Sequence, residues 1–258
     1  MIDFHNQENR STYSTREADF TWVNRIKDIC DIKGKNVLDI GCGGGIYTKA
    51  LAKMGASAVT GLDFSEQILS SAIENCKDIP NIDFEFGNAL DTKLDAGQYD
   101  LILERAVIHH IHDLKSCFQE MFRLLKSNGL CIIQDRTPED CLLKGSNTHI
   151  RGYFFEKYPS LMKKETSRRY SSEDVCSTLQ DIGFKHIKEY KLWEIRKIYE
   201  DVNQLAADLL KRTGRSILHE LTDHQLEELV QFIVGEFAYA ENERIIEKDR
   251  WTIWTAIK

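Results

Sequence analysis

Asn36–Gly45, NVLDIGCGGG, constrains the chain more than any other stretch. Val37, Leu38 and Ile40 suit a buried strand, and Asp39 near its end is the polar exception. Gly41, Gly43, Gly44 and Gly45 then let the backbone turn sharply, with its amides exposed and no side chains in the way. Ile46, Tyr47, Ala50, Leu51 and Met54 follow at helical spacing. A strand, a glycine turn and a helix in this order place a ligand site at the carboxyl edge of a parallel sheet.

The pattern repeats along the first half of the chain. Ser57–Phe64 reads as a second strand, followed by a helix from Ser65 to about Cys76. Asn81–Phe86 and Tyr99–Glu104 give strands three and four. A helix from about Asp113 to Lys126 is expected to end at the Asn128-Gly129 turn, before a fifth strand over Leu130–Asp135. This order predicts an α/β fold, doubly wound, with a mainly parallel sheet covered on both faces. A helix over Ser14–Cys30, capped by Ser14 or Thr15, precedes it.

The second half changes character. Arg136–Tyr170 has weaker periodicity and holds two of the three prolines, so it reads as an insertion. Ser171 and Asp174 are spaced as a capping box for a helix that Gly183 stops. FKHIKEYKLWEI is a sixth strand. Tyr199–Lys248 reads as mostly helical, with Leu226, Val230, Ile233 and Phe237 on one stripe and Thr222 with Gln225 as a cap. RWTIWTAIK closes the chain as a strand with Trp251, Ile253, Thr255 and Ile257 on one face. The expected organisation is an amino-terminal helical cap segment (1–34), a ligand-binding core (35–135) and an inserted cap segment (136–170). The end of the sheet follows (171–258), with a helical insertion at about 199–248.

Composition narrows the function classes. A net charge of −7 argues against a protein held mainly by nucleic-acid phosphates. The basic stretch Lys163–Arg169 reads as a solvated loop or helix end. Seven scattered cysteines show no CxxC or Cys/His ligand spacing, so they support neither a zinc site nor a disulfide framework. They read as small buried hydrophobes in a reducing compartment. With no signal-peptide core at the amino terminus and no apolar run long enough to span a bilayer, the expected location is cytoplasmic.

What the glycine turn holds follows from its spacing. A dinucleotide fingerprint counted from Gly41 needs a third glycine at position 46, where Ile46 stands, and no lysine follows to make a phosphate loop. The phrase D-x-G-x-G-x-G, Asp39–Gly45, instead resembles that of class I S-adenosylmethionine-dependent methyltransferases of the small-molecule type. The resemblance covers about Lys35–Asp135. It implies a Rossmann-like, seven-stranded sheet whose last strand is antiparallel, with a helical cap. It also implies S-adenosyl-L-methionine as cofactor and S-adenosyl-L-homocysteine as product.

At matching positions the resemblance implies residue roles. Gly41, Cys42, Gly43 and Gly45 would lie against the methionine moiety and ribose, and Asp39 would accept from the cofactor's ammonium group, directly or through water. Asp63, 22 positions after Gly41, would take both ribose hydroxyls, with Phe64 over the adenine. Asn88 stands where the family usually has an aspartate accepting from the adenine amino group, and Ala89 would offer its amide to the adenine edge. Glu104 and Arg105, after strand four, would neighbour the sulfonium and the acceptor. His109, His110 and Glu104 are the candidates for acid–base work. Apart from the resemblance, Tyr13, Arg16 and Trp22 belong to an amino-terminal segment whose evident dock is the open edge at the cofactor's methionine end, where Arg16 would pair with the cofactor's carboxylate.

The expected reaction is methyl transfer to an O, N, S or C nucleophile of a small molecule, with no metal implied. The chain would act as a monomer or homodimer, without nucleic acid or membrane as partner. An RNA or protein methyltransferase and a non-catalytic S-adenosylmethionine-binding regulator remain the alternatives. No Asn/Asp-Pro-Pro-aromatic sequence follows strand four, and no Pro-Cys nucleophile is present. Amino-methylating DNA and glutamine enzymes and cytosine carbon-5 methyltransferases are therefore poor matches.

Overall fold

The computed structural model describes residues 17–237 and 243–258. Its elements run α1 (Phe20–Ile29), β1 (Asn36–Ile40), α2 (Ile46–Lys53), β2 (Ala58–Asp63), α3 (Glu66–Cys76), β3 (Ile82–Phe86) and β4 (Tyr99–Arg105). Then come α4 (Leu114–Leu124), β5 (Leu125–Asp135), α5 (Pro138–Cys141), α6 (Ile150–Lys157), α7 (Ser160–Thr166) and α8 (Ser172–Ile182). The chain ends with β6 (Lys185–Tyr199), α9 (Val202–Leu210), α10 (Asp223–Glu236) and β7 (Ile245–Ile257).

The seven strands form one sheet in the order β3-β2-β1-β4-β5-β7-β6. β1 pairs in parallel with both β2 and β4, so the strand order reverses at β1. Such a reversal opens a crevice at the carboxyl ends of the strands. β7 runs antiparallel to β5, from Leu130↔Ile257 to Asp135↔Thr252. The mainly parallel sheet with an antiparallel last strand is the architecture expected of the sequence.

Two compact units separate within the chain. One holds Thr137–Arg169 and Trp193–Trp251; the other holds the described chain up to Arg136 with Tyr170–Leu192 and Thr252–Lys258. In the second of these, Leu38, Ile40 and Ile102 of the sheet pack with Phe118 and Met121 of α4 and with Val175 and Leu179 of α8. Each such side chain contributes about 1.5–3 kcal/mol when fully buried. In the other unit, Phe154, Tyr199, Leu205 and Leu218 pack with Leu226, Val230, Ile233 and Phe237, the stripe expected on α10.

Local chemistry sets most boundaries. The capping boxes Ser171/Asp174 and Thr222/Gln225 both form, and Gly183 closes α8 in the left-handed conformation. The cap of α1 is Asp19, whose carboxylate accepts from the Thr21 amide; Ser14 and Thr15 lie outside the described residues. Three expectations need correction. α4 ends at Leu124 and β5 begins at Leu125, because Asn128 at φ 62 bends the chain within a strand rather than after a helix. β7 begins at Ile245 rather than near Trp251. It is buried on both faces from Trp251 to Ala256, and it stands between β5 and β6 in the sheet.

The basic stretch is the end of α7, with Lys163, Lys164 and Ser167 exposed as expected of a helix end, whereas its two arginines turn to a buried carboxylate. Glu165 is fully buried and takes Arg168 and Arg169 as ion-pair partners, with Arg151 at 2.7 Å. Among the described residues, no helix is long and apolar enough to cross a membrane.

Candidate active site

The glycine turn at the carboxyl end of β1 is built by conformations only glycine adopts readily. Gly41, Gly43 and Gly45 have φ of +70, +54 and +77. Two are also packed tight: a Cβ on Gly41 would stand 2.2 Å from Val107 Cγ2, and one on Gly45 2.9 Å from Cys76 Sγ. A Cβ on Gly43 would meet nothing within 4 Å. That open side of the turn is where a ligand can approach the backbone. Cys42 is buried, its thiol 3.8 Å from the Gly43 carbonyl, and burial pushes its pKa well above the ordinary value.

Asp39 is buried, and its Oδ2 accepts from the Thr48 hydroxyl of α2 at 2.6 Å. Burial pushes its carboxyl up to about 7, against the Thr48 hydrogen bond and the Arg105 charge. A carboxyl held this way gains most from an incoming cation, which replaces the lost solvation of its charged form.

Asp63 ends β2 and is also buried, with both carboxylate oxygens engaged. Oδ2 accepts from the Gly43 amide at 3.0 Å and Oδ1 from the Ser65 amide at 3.1 Å. The side chain therefore ties the end of β2 to the glycine turn. Burial raises its pKa, and the Gly43 and Ser65 amides oppose the rise.

Beside it two aromatic rings face solvent. Phe64 is 52% exposed and Phe86, the register partner of Asp63, is 61% exposed. Apolar rings left open next to a buried carboxylate suit a flat heteroaromatic ligand. Phe86 was not among the residues expected from the sequence. Asn88 is exposed and its Oδ1 accepts from the Leu90 amide at 2.9 Å, so this oxygen already closes a turn. Ala89 is partly buried against the core.

At the end of β4 the side chains divide by strand alternation. Glu104 is fully buried, with Oε1 taking the Cys117 thiol of α4 at 3.2 Å and Oε2 without a hydrogen-bond partner. Burial pushes it up to about 7, opposed by the Cys117 hydrogen bond and reinforced by Asp135. Its contact with α4 turns it into the core rather than toward the glycine turn. Arg105, next in the strand, lies over the Tyr47 ring at 4.0 Å.

Ala106 then takes φ 56, a left-handed conformation that costs a non-glycine residue roughly 1–2 kcal/mol. The bend leads into the short 3₁₀ turn Ile108–His110. Ala106→Gly is expected to raise the urea midpoint slightly, and Ala106→Val to lower stability by about 1–2 kcal/mol. Equal midpoints for the three proteins would show that the bend carries no strain.

The turn brings the His109 ring to Asp135 at the end of β5, with Nδ1 and Oδ2 2.8 Å apart. His110 is exposed, its ring centroid 4.0 Å from that of His109. Asp135 was not among the expected residues, nor were Thr48 and Tyr47. Trp22 is buried, donates from Nε1 to Gln134 Oε1 at 2.8 Å and meets Tyr47 edge-on. The partner of Trp22 lies 112 residues away in sequence. Tyr13 and Arg16 lie outside the described residues.

Comparison with known proteins adds to this geometry. Residues 31–191 match the model of a family described as a methyltransferase domain. The chain is 35% identical over 105 residues to the ubiquinone biosynthesis O-methyltransferase of Coxiella burnetii, covering 40% of this chain and 44% of that protein. It is 34% identical over 114 residues to the demethylmenaquinone methyltransferase of Staphylococcus carnosus, covering 43% and 47%. The matched stretch thus spans less than half the length of these curated relatives.

Among solved structures, a phosphoethanolamine N-methyltransferase 2 of Haemonchus contortus, in complex with phosphomonomethylethanolamine and S-adenosylhomocysteine, superposes with TM-score 0.61. It is 18% identical and covers 100% of this chain and 61% of that one. A SAM-dependent methyltransferase of Aquifex aeolicus does so with TM-score 0.58 at 15% identity, covering both chains fully. At these identities the likeness is one of fold.

Proposed function

The chain belongs to the methyltransferase-domain family, and from that premise we propose that it transfers the methyl group of S-adenosylmethionine to a nucleophilic O, N, S or C atom of a small molecule. The observation that carries this reading is the tie between Asp63 and the Gly43 amide, beside the open face of the turn and the buried Asp39. Asp39 would answer the ligand's ammonium group, and Asp63 its ribose hydroxyls. Phe64 and Phe86 would flank the adenine. Arg105 and the turn Gly41–Gly45 would border the methionine end.

S-adenosylmethionine is a substrate consumed in the reaction and already carries an excellent leaving group. The protein's main task is then alignment of the acceptor with the methyl carbon and exclusion of water. Curated relatives named for ubiquinone biosynthesis and for demethylmenaquinone methylation support a small-molecule acceptor. Pairing of Arg151, Arg168 and Arg169 with Glu165 leaves less of the basic stretch to an RNA partner. Seven cysteines that are all free thiols support the cytoplasm as the location.

Methyl-labelled S-adenosylmethionine offered with a metabolite extract, total RNA or a protein pool tests the reading. Label is expected in the metabolite fraction, dependent on the protein. Label in RNA or protein would favour a macromolecular acceptor, and binding without transfer to any pool would favour a regulator.

A further inference from the structure

We infer that Glu104 is held as a neutral carboxylic acid in the folded protein and serves as a proton-dependent latch on the segment Arg105–Ile111. When it ionises, the end of β4 lets go of the core. The latch is independent of what the site transfers.

Glu104 is the penultimate residue of β4 and fully buried. Its register partners, Ile40 on β1 and Ile133 on β5, are fully buried too. Parallel register puts the three side chains on one face of the sheet. Ile40 and Ile133 belong to the core that also holds Cys117 and Phe118 of α4 and Ile108 of the following turn. Into this apolar setting the Cys117 thiol donates to Oε1 at 3.2 Å, while Oε2 has no hydrogen-bond partner.

The titratable groups around Glu104 do not favour its charge. From α4 comes Cys117, whose thiol is pushed well above its ordinary value by burial, then by Glu104, with Glu120 and Asp113 adding to the rise. From β5 come Cys131, held up to about 12 by burial, and Asp135, whose charge opposes a second anion nearby. His109, on the turn that follows β4, sets its Nδ1 2.8 Å from Asp135 Oδ2, and His110 packs its ring on that of His109. An ionised carboxylate with one weak donor, one unbonded oxygen and an anionic neighbour loses far more solvation than it regains. The neutral acid loses much less, so the proton stays. It sits on Oε2, because Oε1 receives the thiol.

Burial lifts the group from 4.5 to about 7, opposed by the Cys117 hydrogen bond and reinforced by Asp135. A carboxyl raised in this way contributes stability that is whole below its unfolded value. That stability falls as pH rises through the interval and is gone above the folded value. Above pH 7 the charged form therefore gains by reaching water. The shortest way out is at the strand end. Arg105 alone separates Glu104 from Ala106, whose φ of 56 already strains the backbone. The 3₁₀ turn Ile108–His110 follows, and short end segments open at lower cost than central strands. Release also withdraws Arg105, whose charge opposes the burial-driven rise of Asp39. Proton loss in the core is thereby coupled to the edge that carries the glycine turn.

Two measurements on the full-length, unliganded protein test the latch. In uniformly ¹³C,¹⁵N-labelled protein the Glu104 Cδ resonance, assigned through its own backbone, should titrate near pH 7 rather than near 4.5. Amide exchange of Arg105–Ile111, corrected for intrinsic rates, should rise about tenfold between pH 6 and 8. In Glu104→Gln, neutral and of the same shape, that rise should be absent. Asp39 is common to both proteins, so their difference isolates Glu104. The Cδ titration needs no variant and decides the neutral acid even if glutamine does not fold. A Cδ midpoint near 4.5, exchange in the wild type that does not rise, or an equal rise in Glu104→Gln overturns the proposal.

Discussion

Gly41→Ala is expected to lose about 2–5 kcal/mol of stability, enough to remove a large part of a typical domain's margin of 5–15 kcal/mol. Two independent terms add. The new Cβ would stand 2.2 Å from Val107 Cγ2, a contact that cannot exist without movement; overpacking of this kind costs about 1–3 kcal/mol. The φ of +70 adds roughly 1–2 kcal/mol for any side chain. Val107→Ala on the same background separates them. It removes both Cγ atoms and leaves the Val107 Cβ at 3.5 Å, an ordinary contact, so the clash is relieved while the backbone strain stays. Urea unfolding should therefore show partial rescue by the double substitution. A single mutant with an unshifted midpoint would mean that the turn is not packed on Val107.

Asp63→Asn should act on binding and folding together. The carboxylate accepts two backbone amides with two different oxygens. Asparagine offers one acceptor oxygen, so either the Gly43 or the Ser65 amide ends up facing an NH₂ group. Leaving one buried amide unpaired costs about 1–3 kcal/mol of stability. For S-adenosylmethionine the expected loss is about 1.5–3 kcal/mol, the worth of hydrogen bonds to a charged group, or roughly ten- to 150-fold in Kd. Calorimetry with a parallel unfolding curve reads both effects. An unchanged Kd in a cooperatively folding variant would place the ribose elsewhere.

These expectations depend on features of unequal legibility. The strand–glycine turn–helix unit was readable because its signals are local. Apolar residues mark β1, glycines the bend, and Ile46, Ala50 and Leu51 the buried face of α2. The capping boxes at Ser171 and Thr222 were readable for the same reason. The start of β7 was not. Glu247 and Asp249 are polar in sequence yet buried, because Arg215 meets Glu247 at 2.7 Å and Arg196 lies 3.9 Å from Asp249. No short window of sequence contains those partners. At the site the same limit applies. Asp39 and Asp63 were found from their places at strand ends, whereas Asp135 gained meaning only when the fold put His109 beside it, 26 residues away in sequence. Glu104 had the right place in sequence, but strand alternation turned it toward Cys117 and the core.

The central claim is that the open face of the glycine turn binds S-adenosylmethionine beside Asp39, and one titration tests it most directly. Calorimetry near pH 6.5, in two buffers of different ionisation enthalpy, measures affinity and proton exchange together. Burial holds Asp39 at about 7 in the unliganded protein, so much of it is protonated at that pH. A cationic ammonium group favours the charged carboxylate, so binding should release up to about one proton and tighten as pH rises toward 7.5. The predicted result is saturable binding of S-adenosylmethionine with net proton release and no binding of NAD. Binding of NAD with comparable affinity, or no heat with S-adenosylmethionine in either buffer, would contradict it.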